Sequence, residues 1–325
     1  MMKTTDRLTY VIITPARNEA ATIEGTIRSM AQQTRPPLAW VIVSDGSTDG
    51  TEEIVKRYLP QHPWMRLVSL PDRKERHFGG KVQAFNAGYA KVRDMSFDII
   101  ASLDADLTFG EDYFSFLLDR FAEDDDLGVA GTPFREGTLQ YDYRFTSLEH
   151  VSGACQVFRR DCFDEIDGYR PIRTGGVDLV AVTLARMQGW KTRTFTERVC
   201  QHHRKMGTAK NNYLAARFKV GRQDYSLGGH PLWEIFRTLY QMKNRPYVIG
   251  GIVLYLGYLW AWLSGMERPV CQEWVAFRRK EQMQRLRSFF LRRACYAEAS
   301  VRPGQGADGL GRQHHSGVPV TRTGQ

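Results

Sequence analysis

Cysteine is scarce in this sequence, and its five cysteines form no CxxC pair and no spacing typical of a zinc site. An odd, scattered set of thiols indicates a reducing compartment. The first nine residues are polar and contain no apolar segment, so we expect no secretory signal there. We find no internal repeat. With 42% hydrophobic and 25% charged residues, the chain otherwise has the composition of an ordinary globular protein.

Acidic residues are sparse in the last third of the chain. Between residues 201 and 300, 17 Lys and Arg residues stand against 6 Asp and Glu, an excess larger than the net charge of +9 of the whole chain. The first two-thirds is therefore close to neutral. This asymmetry indicates an anionic partner, either nucleic acid or an acidic membrane surface, unless it is only a solvated basic face.

The first 200 residues alternate short apolar runs with helical patterns. Four runs rich in β-branched residues predict strands, at Tyr10–Thr14, Trp40–Ser44, Met65–Leu70 and Ile99–Leu103. Helical spacing predicts the helices between them, Ala20–Gln33, Thr48–Leu59 and Lys81–Val92. This order predicts an α/β fold with a doubly wound, mostly parallel sheet flanked by helices. Ligands of such sheets bind beyond the carboxyl ends of the strands.

Polar motifs follow three of the four predicted strands, at Pro15–Glu19, Asp45–Asp49 and Asp104–Asp106. The three strand ends should therefore converge on one crevice. Alternation places Asp104 and Asp106 on the same side, where both can face one ligand. Mg²⁺ and Mn²⁺ bind carboxylate and phosphate oxygens, so the pair suits a metal–diphosphate site. Asp is also common in turns and caps, which is the structural alternative.

The other two motifs have local and functional interpretations. Ser47 or Thr48 could cap the second helix, which leaves Asp45 to accept a hydrogen bond from a nucleotide base. Asn18 and Glu19 either cap the first helix or hold a ribose. In Gly79-Gly80-Lys81, the N–H groups of a helix start and a lysine together suit an anion.

Taken together, TPARNEAATIEGTI, VSDGSTDGT, GGKVQAFNAG and LDADL resemble the inverting family 2 glycosyltransferases of the GT-A fold, over roughly residues 8–205. The resemblance implies that four residues bind the nucleoside: Pro15, Asn18, Glu19 and Asp45. It also implies that Asp104 lies near the ribose or diphosphate and that Asp106 ligates Mg²⁺ or Mn²⁺. Lys81 matches the lysine of the family's GGKxxAxN segment, and we include it among the residues that bind the nucleotide sugar.

The family also has a later Glu-Asp motif, before a helix that ends in Gly-Trp or Gly-Tyr. Counting back from Trp190 assigns Asp178 as the catalytic base, with Val177 in place of the Glu. An inverting transfer needs a base for the acceptor hydroxyl and a metal for the leaving diphosphate. The structural alternative is that Asp178 caps a helix. The Val177 replacement is the one argument for a non-catalytic sugar-nucleotide-binding subunit.

A histidine after the last motif is a candidate third metal ligand, because GT-A enzymes sometimes complete the metal shell in this way. His202 and His203 are adjacent, and we assign His203. An ordinary loop is the alternative. Arg204 and Lys205 are candidates for direct contact with the diphosphate.

From about Pro246 the composition changes. Tyr247–Ser264 is an uncharged 18-mer, enough for about 27 Å of helix, and Glu273–Arg293 is basic with apolar residues at helical spacing. We find no nucleic-acid module, so a membrane surface is the better partner. The 18-mer spans the membrane, enters it shallowly or is a buried helix. We predict a GT-A catalytic domain at residues 1–210, a basic, helical, membrane-associated region at 211–300 and a disordered tail at 301–325.

These features predict an enzyme at the cytoplasmic face of the cell membrane. We expect it to transfer a sugar from a nucleotide-diphosphate donor to a hydroxyl of a lipid-linked saccharide, as in the assembly of a surface polysaccharide. A polyprenyl phosphate is the alternative acceptor, but it needs no base, so Asp178 favours the hydroxyl. The family's processive synthases carry QxxRW and several membrane spans. We find neither, and therefore expect a single addition.

Overall fold

The computed structural model describes residues 8–72, 78–137, 139–140, 147–203, 213–243 and 246–301. The chain divides into two compact units, Met1–Gln282 and Met283–Gln325. The domain boundary predicted at residue 210 lies outside the described residues, as do Arg204, Lys205 and the predicted tail beyond Val301. Those domain predictions therefore stay predictions.

The described strands form two sheets. The larger one has seven strands in the order β10-β6-β9-β4-β1-β2-β3, and the smaller one has the order β5-β11-β7-β8. In the larger sheet only β9 runs antiparallel to its neighbours, which confirms the mostly parallel prediction. The strands are β1 Tyr10–Ala16, β2 Ala39–Asp45, β3 Met65–Leu70, β4 Ile99–Leu103, β5 Leu107–Thr108, β6 Leu127–Gly131, β7 Phe134–Glu136, β8 Leu139–Gln140, β9 Cys155–Arg159, β10 Lys191–Thr194 and β11 Cys200–His202.

All four strands and three helices predicted for the first hundred residues are present, with boundaries that differ by a few residues. Helix α2 begins at Thr51 rather than at Thr48, because residues 47–49 are used in contacts between loops. The described helices are α1 Ile23–Ala31, α2 Thr51–Tyr58, α3 Phe78–Tyr89, α4 Tyr113–Glu123, α5 Arg160–Glu165, α6 Val177–Met187, α7 Tyr213–Ser226, α8 Pro231–Gln241, α9 Tyr247–Leu263 and α10 Gln272–Val301.

Both faces of the large sheet are covered. Alternate residues of β1 belong to two apolar clusters, with Ile12 in one and Val11 and Ile13 in the other, and all three are fully buried. A parallel strand that is buried on both faces explains the continuous apolar run in the sequence. Each fully buried aliphatic side chain contributes about 1.5–3 kcal/mol relative to exposure, so these strands hold their ends firmly in place.

Helices α7 and α9 cross with their backbones in direct contact. A Cβ atom on Gly221 would lie 1.9 Å from the carbonyl oxygen of Leu254, and one on Gly257 would lie 2.1 Å from that of Phe218. The glycines of the uncharged 18-mer thus face protein. The opposite side of α9 is exposed along Ile249, Ile252, Leu256, Trp260 and Leu263. Helix α9 therefore has one packed face and one open apolar face.

No helix in the described part of the chain combines the length and the apolar character that a membrane span requires. Helix α9 ends at Leu263 after 17 residues, where Ser264 and Gly265 form the C-terminal turn. The spanning alternative for Tyr247–Ser264 is therefore not supported by the described residues. The buried-helix alternative is correct for the face of α9 that packs on α7. It is wrong for the opposite face, which is exposed.

Candidate functional site

The loops that follow β1 and β2 are joined by reciprocal hydrogen bonds. The backbone N–H of Asn18 donates to Ser47 Oγ at 3.1 Å, and the backbone N–H of Thr48 donates to Asn18 Oδ1 at 2.9 Å. Asn18 has a left-handed φ of 56°, which asparagine tolerates better than most residues. Neither Ser47 nor Thr48 caps α2, whose N-cap is Gly50, so the expected capping role is wrong. Instead the Ser47 hydroxyl and the Thr48 backbone N–H join the two loops.

Asp45 ends β2 at the bottom of this crevice and is nearly fully buried. Its Oδ2 lies 3.8 Å from Arg17 Nη1, and the same guanidinium donates to Asp72 at 3.2 Å. A Cβ atom on Gly46 would lie 2.5 Å from the Cα of Asp72, so only glycine fits beside it. The structure places Pro15 and Glu19 at the same edge, where the backbone N–H of Glu19 donates to Thr51 Oγ1 at 2.9 Å. The four residues predicted for the nucleoside thus line one edge, and their binding role stays a prediction.

Asp104 and Asp106 follow β4 and face Lys81, which lies in the first turn of α3. Lys81 Nζ donates a short hydrogen bond to Asp104 Oδ1. Desolvation disfavours the charged amine, but the charges of Asp104, Asp178 and Asp106 outweigh it and raise the pKa of Lys81. Lys81 therefore stays a cation at the point where the three carboxylates converge.

His202 is the histidine that meets this acidic pair. Strand β11 pairs antiparallel with β5, in a register that sets His202 opposite Leu107, the residue after Asp106. His202 Nε2 lies 3.5 Å from Asp106 Oδ2. The next residue, His203, turns away and its ring Nε2 is hydrogen-bonded to Thr108 Oγ1 at 2.8 Å. The structure therefore brings His202, and not the assigned His203, to the acidic pair, and a role of either ring as a metal ligand stays a prediction.

The residues of this group fit a divalent cation. Ligand atoms of Asp104, Asp106 and His202 all lie within 4.8 Å of one another. Asp106 Oδ1 and His202 Nδ1 are buried and have no hydrogen-bond partner among the described residues. Burial, and then the charge of Asp104, raises the pKa of Asp106. A bound cation would relieve both the repulsion and the missing contacts.

Asp178 lies in the first turn of α6 and reaches the same site over a glycine. A Cβ atom on Gly153 would lie 2.9 Å from that of Asp178. The next residue, Ala154, accepts a hydrogen bond from the backbone N–H of Asp104 at 2.9 Å, which links Asp178 to the acidic pair. The N-cap of α6 is Gly176, so the capping alternative for Asp178 is wrong.

Two sets of contacts in the site were not foreseen in the sequence. Buried Gln156 donates to the backbone carbonyl of Asp178 at 3.3 Å and accepts from Tyr169 Oη at 2.7 Å, and so holds the start of α6. The available signal was the position of Gln156 within the apolar strand Cys155–Arg159. A side-chain amide that is buried in such a strand needs hydrogen-bond partners. Val177, in place of the family's Glu, packs against the apolar residues beneath α6.

Comparison with known proteins identifies a family profile and several curated relatives that match this chain. The profile of glycosyl transferase family 2 matches residues 11–176. Poly-beta-1,6-N-acetyl-D-glucosamine synthase of Staphylococcus epidermidis is 29% identical over 136 residues, which are 42% of this chain and 31% of the relative. The protein of that name from Staphylococcus aureus strain COL matches with the same identity and coverage. The match thus spans about a third of the length of these curated relatives.

Two solved structures share the fold. One is the mannosyltransferase PcManGT from Pyrobaculum calidifontis in complex with GDP-Man and Mn²⁺, with a TM-score of 0.55, 20% identity, and coverage of 91% of this chain and 86% of that one. The other is S. aureus TarS 1–349 in complex with UDP-GlcNAc, with a TM-score of 0.53, 14% identity, and coverage of 87% and 80%. The family profile covers half of the chain, from β1 to the start of α6. The protein therefore belongs to glycosyl transferase family 2 and is a glycosyltransferase of the GT-A fold.

Proposed function

We propose that this protein is an inverting glycosyltransferase that moves a sugar from a nucleotide-diphosphate donor to a hydroxyl of a lipid-linked acceptor. The observation that carries the proposal is the convergence of Asp104, Asp106 and His202 with Asp178 on one crevice. A transferase of this kind needs a site for the donor's diphosphate and a base for the acceptor. The crevice offers both on separate elements, β4 and α6.

The donor end of the crevice supports a nucleotide sugar. The two structural neighbours bind GDP-Man and UDP-GlcNAc, and one of them holds Mn²⁺. In this chain Asp104, Asp106 and His202 would hold Mg²⁺ or Mn²⁺, and a cation there neutralises charge on the donor diphosphate. Lys81 adds a fixed positive charge beside them. Asn18 follows β1, one strand from β4, and Asp45 ends β2, two strands from β4, so both would contact the nucleoside.

The base is the carboxylate of Asp178. It takes the proton of the acceptor hydroxyl while that oxygen bonds to the anomeric carbon of the donor sugar. The bond from this carbon to the diphosphate oxygen breaks, and the nucleotide diphosphate leaves with its electron pair. Attack from the side opposite the leaving group inverts the anomeric configuration. Gln156 and Gly153 fix the position of the base by holding its backbone and leaving room for its side chain.

Exposed apolar faces on two helices support a location at a membrane surface, and we propose that it is the cytoplasmic face. Helix α8 exposes Leu232, Ile235 and Leu239, and α9 exposes a second apolar stripe from Ile249 to Leu263. Exposed Lys243, between these helices, adds a positive charge beside the two stripes. An apolar face with a cation next to it in the chain suits an anionic membrane surface that it enters without crossing.

A panel of UDP- and GDP-sugars with Mn²⁺ or Mg²⁺ tests this function. We expect one donor to bind, and its nucleotide diphosphate to be released faster when an isoprenoid-diphosphate-linked sugar is added. Release should stop in EDTA. Binding of a donor without release under any of these conditions would instead indicate a non-catalytic sugar-nucleotide-binding subunit. Failure of every donor to bind would rule out the proposed function.

A further inference from the structure

A cavity of about 740 Å³ lies outside the crevice, between α7, α9 and the segment that precedes α6. One face of α7 lines it with residues at positions i, i+4, i+5 and i+8, which are Leu214, Phe218, Lys219 and Arg222. Arg173, from the segment before α6, faces the same space. The cavity is thus built by a helix face and does not arise from a gap between loops.

The polar part of the cavity is cationic. Arg173, Lys219 and Arg222 line it, and no Asp or Glu is among the described residues around it. The Nε atom of Arg222 is buried and has no hydrogen-bond partner among the described residues. A guanidinium that lines a cavity offers N–H groups to an anion, so an anion there would form charge-assisted hydrogen bonds with Arg222.

The remainder of the wall is apolar and continues to the exposed face of α9. Leu214, Phe218 and Val253 line the cavity. The guanidinium carbon of Arg222 lies 4.7 Å from the ring centroid of Trp260, which belongs to the exposed stripe of α9. An amphiphile could therefore place its charged head among the cations and its tail along a path that leads to that stripe.

The cavity adjoins the segment that carries the proposed base. Thr174, at its edge, is hydrogen-bonded to Ser226 at 3.4 Å. A Cβ atom on Gly176 would lie 2.8 Å from Nε2 of Gln223, a lining residue. Gly176 is the N-cap of α6 and stands two residues before Asp178. A ligand in the cavity is thus held beside the start of the helix that presents the base.

We propose that this cavity binds the phosphate or diphosphate group of an amphiphilic acceptor, and that the acceptor's sugar extends from there to Asp178. This proposal rests on the proposed function and adds the site that selects the acceptor. Three cations from two elements match the charge of a diphosphate, and the apolar wall matches a hydrocarbon chain. A neutral acceptor sugar or a free nucleotide would use only half of these contacts.

The test measures binding of farnesyl diphosphate, farnesol and inorganic diphosphate to the full chain by calorimetry. EDTA is present, so that no diphosphate binds through a metal at Asp106. We expect farnesyl diphosphate to bind more tightly than the other two probes. Lys219→Gln and Arg222→Gln should each weaken it by about tenfold, in line with the loss of one charge-assisted hydrogen bond. The control Arg57→Gln makes the same charge change on exposed α2 and should have no effect.

Leu214→Gln tests the apolar wall at a position that is 40% exposed, where a polar side chain remains in contact with water. The substitution should weaken the binding of farnesyl diphosphate and leave the affinity for inorganic diphosphate unchanged. Equal affinity of farnesyl diphosphate for the parent, Lys219→Gln and Arg222→Gln proteins would overturn the proposal, as would no measurable binding. Donor binding with Mn²⁺ is measured on the same variants and should be retained. If the parent protein binds no donor, the proposed function is wrong, whatever the result with farnesyl diphosphate.

Discussion

The side-chain carbonyl oxygen of Asn18 accepts a hydrogen bond from the backbone N–H of Thr48 at 2.9 Å, and so connects the loop after β1 to the loop after β2. The backbone N–H of Asn18 returns a bond to Ser47. Because β1 and β2 are parallel neighbours, these two loops form one edge of the crevice. Their mutual hydrogen bonds fix that edge before any ligand arrives.

Asn18→Gly should loosen this edge. Glycine adopts the left-handed φ of 56° without strain. Any loss of stability in this variant therefore comes mainly from the missing hydrogen bond to Thr48. We expect the free energy of unfolding to fall by about 1 kcal/mol and donor affinity to fall several-fold. Urea denaturation and donor titration measure the two effects. Asn18→Asp keeps the acceptor oxygen and serves as the control. Equal stability of Asn18→Gly and the parent protein would show that the bond is dispensable.

Asp106→Asn should abolish metal-dependent transfer in a folded protein. The substitution keeps the size of the side chain and removes the carboxylate next to His202. Mutation of residues that only support metal ligands lowers metal affinity or activity by about 10–100-fold. For a ligand itself we expect the rate of nucleotide diphosphate release to fall by at least about 100-fold. Thermal stabilisation by Mn²⁺ should vanish as well. Asp112→Asn, at an exposed ion pair with Arg198, is the matched control. Near-normal turnover of Asp106→Asn in EDTA would disprove the metal role.

Asp178→Asn should reduce turnover and leave donor affinity unchanged. General-base catalysis contributes roughly 10²–10⁴-fold, and we expect that loss in kcat. Single-turnover rates and donor titrations separate the two quantities. Asp164→Asn, at an exposed bond to Tyr89, controls for the loss of one carboxylate. A collapse of donor affinity in Asp178→Asn, with kcat preserved, would make Asp178 a donor ligand and not the base.

Local patterns in the sequence were enough to predict the first four strands, β1 to β4, and the edge on which their polar loops meet. The bounds of β3 and β4 agree with the predicted Met65–Leu70 and Ile99–Leu103. Strand alternation and β-branched composition are local, and the carboxyl ends of parallel strands necessarily share an edge. Fold and crevice therefore followed from short-range patterns.

The choice between His202 and His203 did not follow from such patterns. It depends on the register of β11 with β5, which joins segments about 95 residues apart and is set only in the folded chain. The role of the glycines in α9 was equally hidden. Gly257 permits contact with Phe218 of another helix, and a hydropathy pattern does not reveal a packing partner. In both cases a tertiary contact decided what the local sequence left open.

Ile252→Glu combined with Leu256→Glu should weaken binding to anionic vesicles. Both side chains lie on the open face of α9, 44% and 50% exposed, so the fold is spared. Removal of residues after Pro246 would be a poorer test, because it uncovers the face of α7 that packs on α9. We expect at least a tenfold loss of affinity for phosphatidylglycerol vesicles in sedimentation. Leu38→Glu, at 44% exposure before β2, is the control. Absence of binding by the parent protein would refute the membrane proposal.

Glu234 in α8 is fully buried, and neither of its carboxylate oxygens has a hydrogen-bond partner among the described residues. Burial, and then the charge of Asp224, raises its pKa to about 8, although Arg237 and Arg278 oppose the rise. The folded protein therefore keeps a proton that the unfolded chain, with an ordinary pKa of 4.5, has lost. Because the folded state binds more protons in this range, stability falls as the pH rises from about 4.5 to about 8.

Glu234→Gln should flatten this dependence, since glutamine stays neutral at every pH. The variant and the parent protein should have similar free energies of unfolding at pH 5. At pH 9 the variant should be more stable by more than about 1 kcal/mol, the equivalent of a pKa difference of one unit. Urea denaturation at both pH values measures the difference, with Glu267→Gln as an exposed control of the same charge change. Parallel pH profiles of the variant and the parent would mean that Glu234 is already ionised in the folded protein. Arg237 and Arg278 would then stabilise its charge more strongly than burial and the charge of Asp224 oppose it.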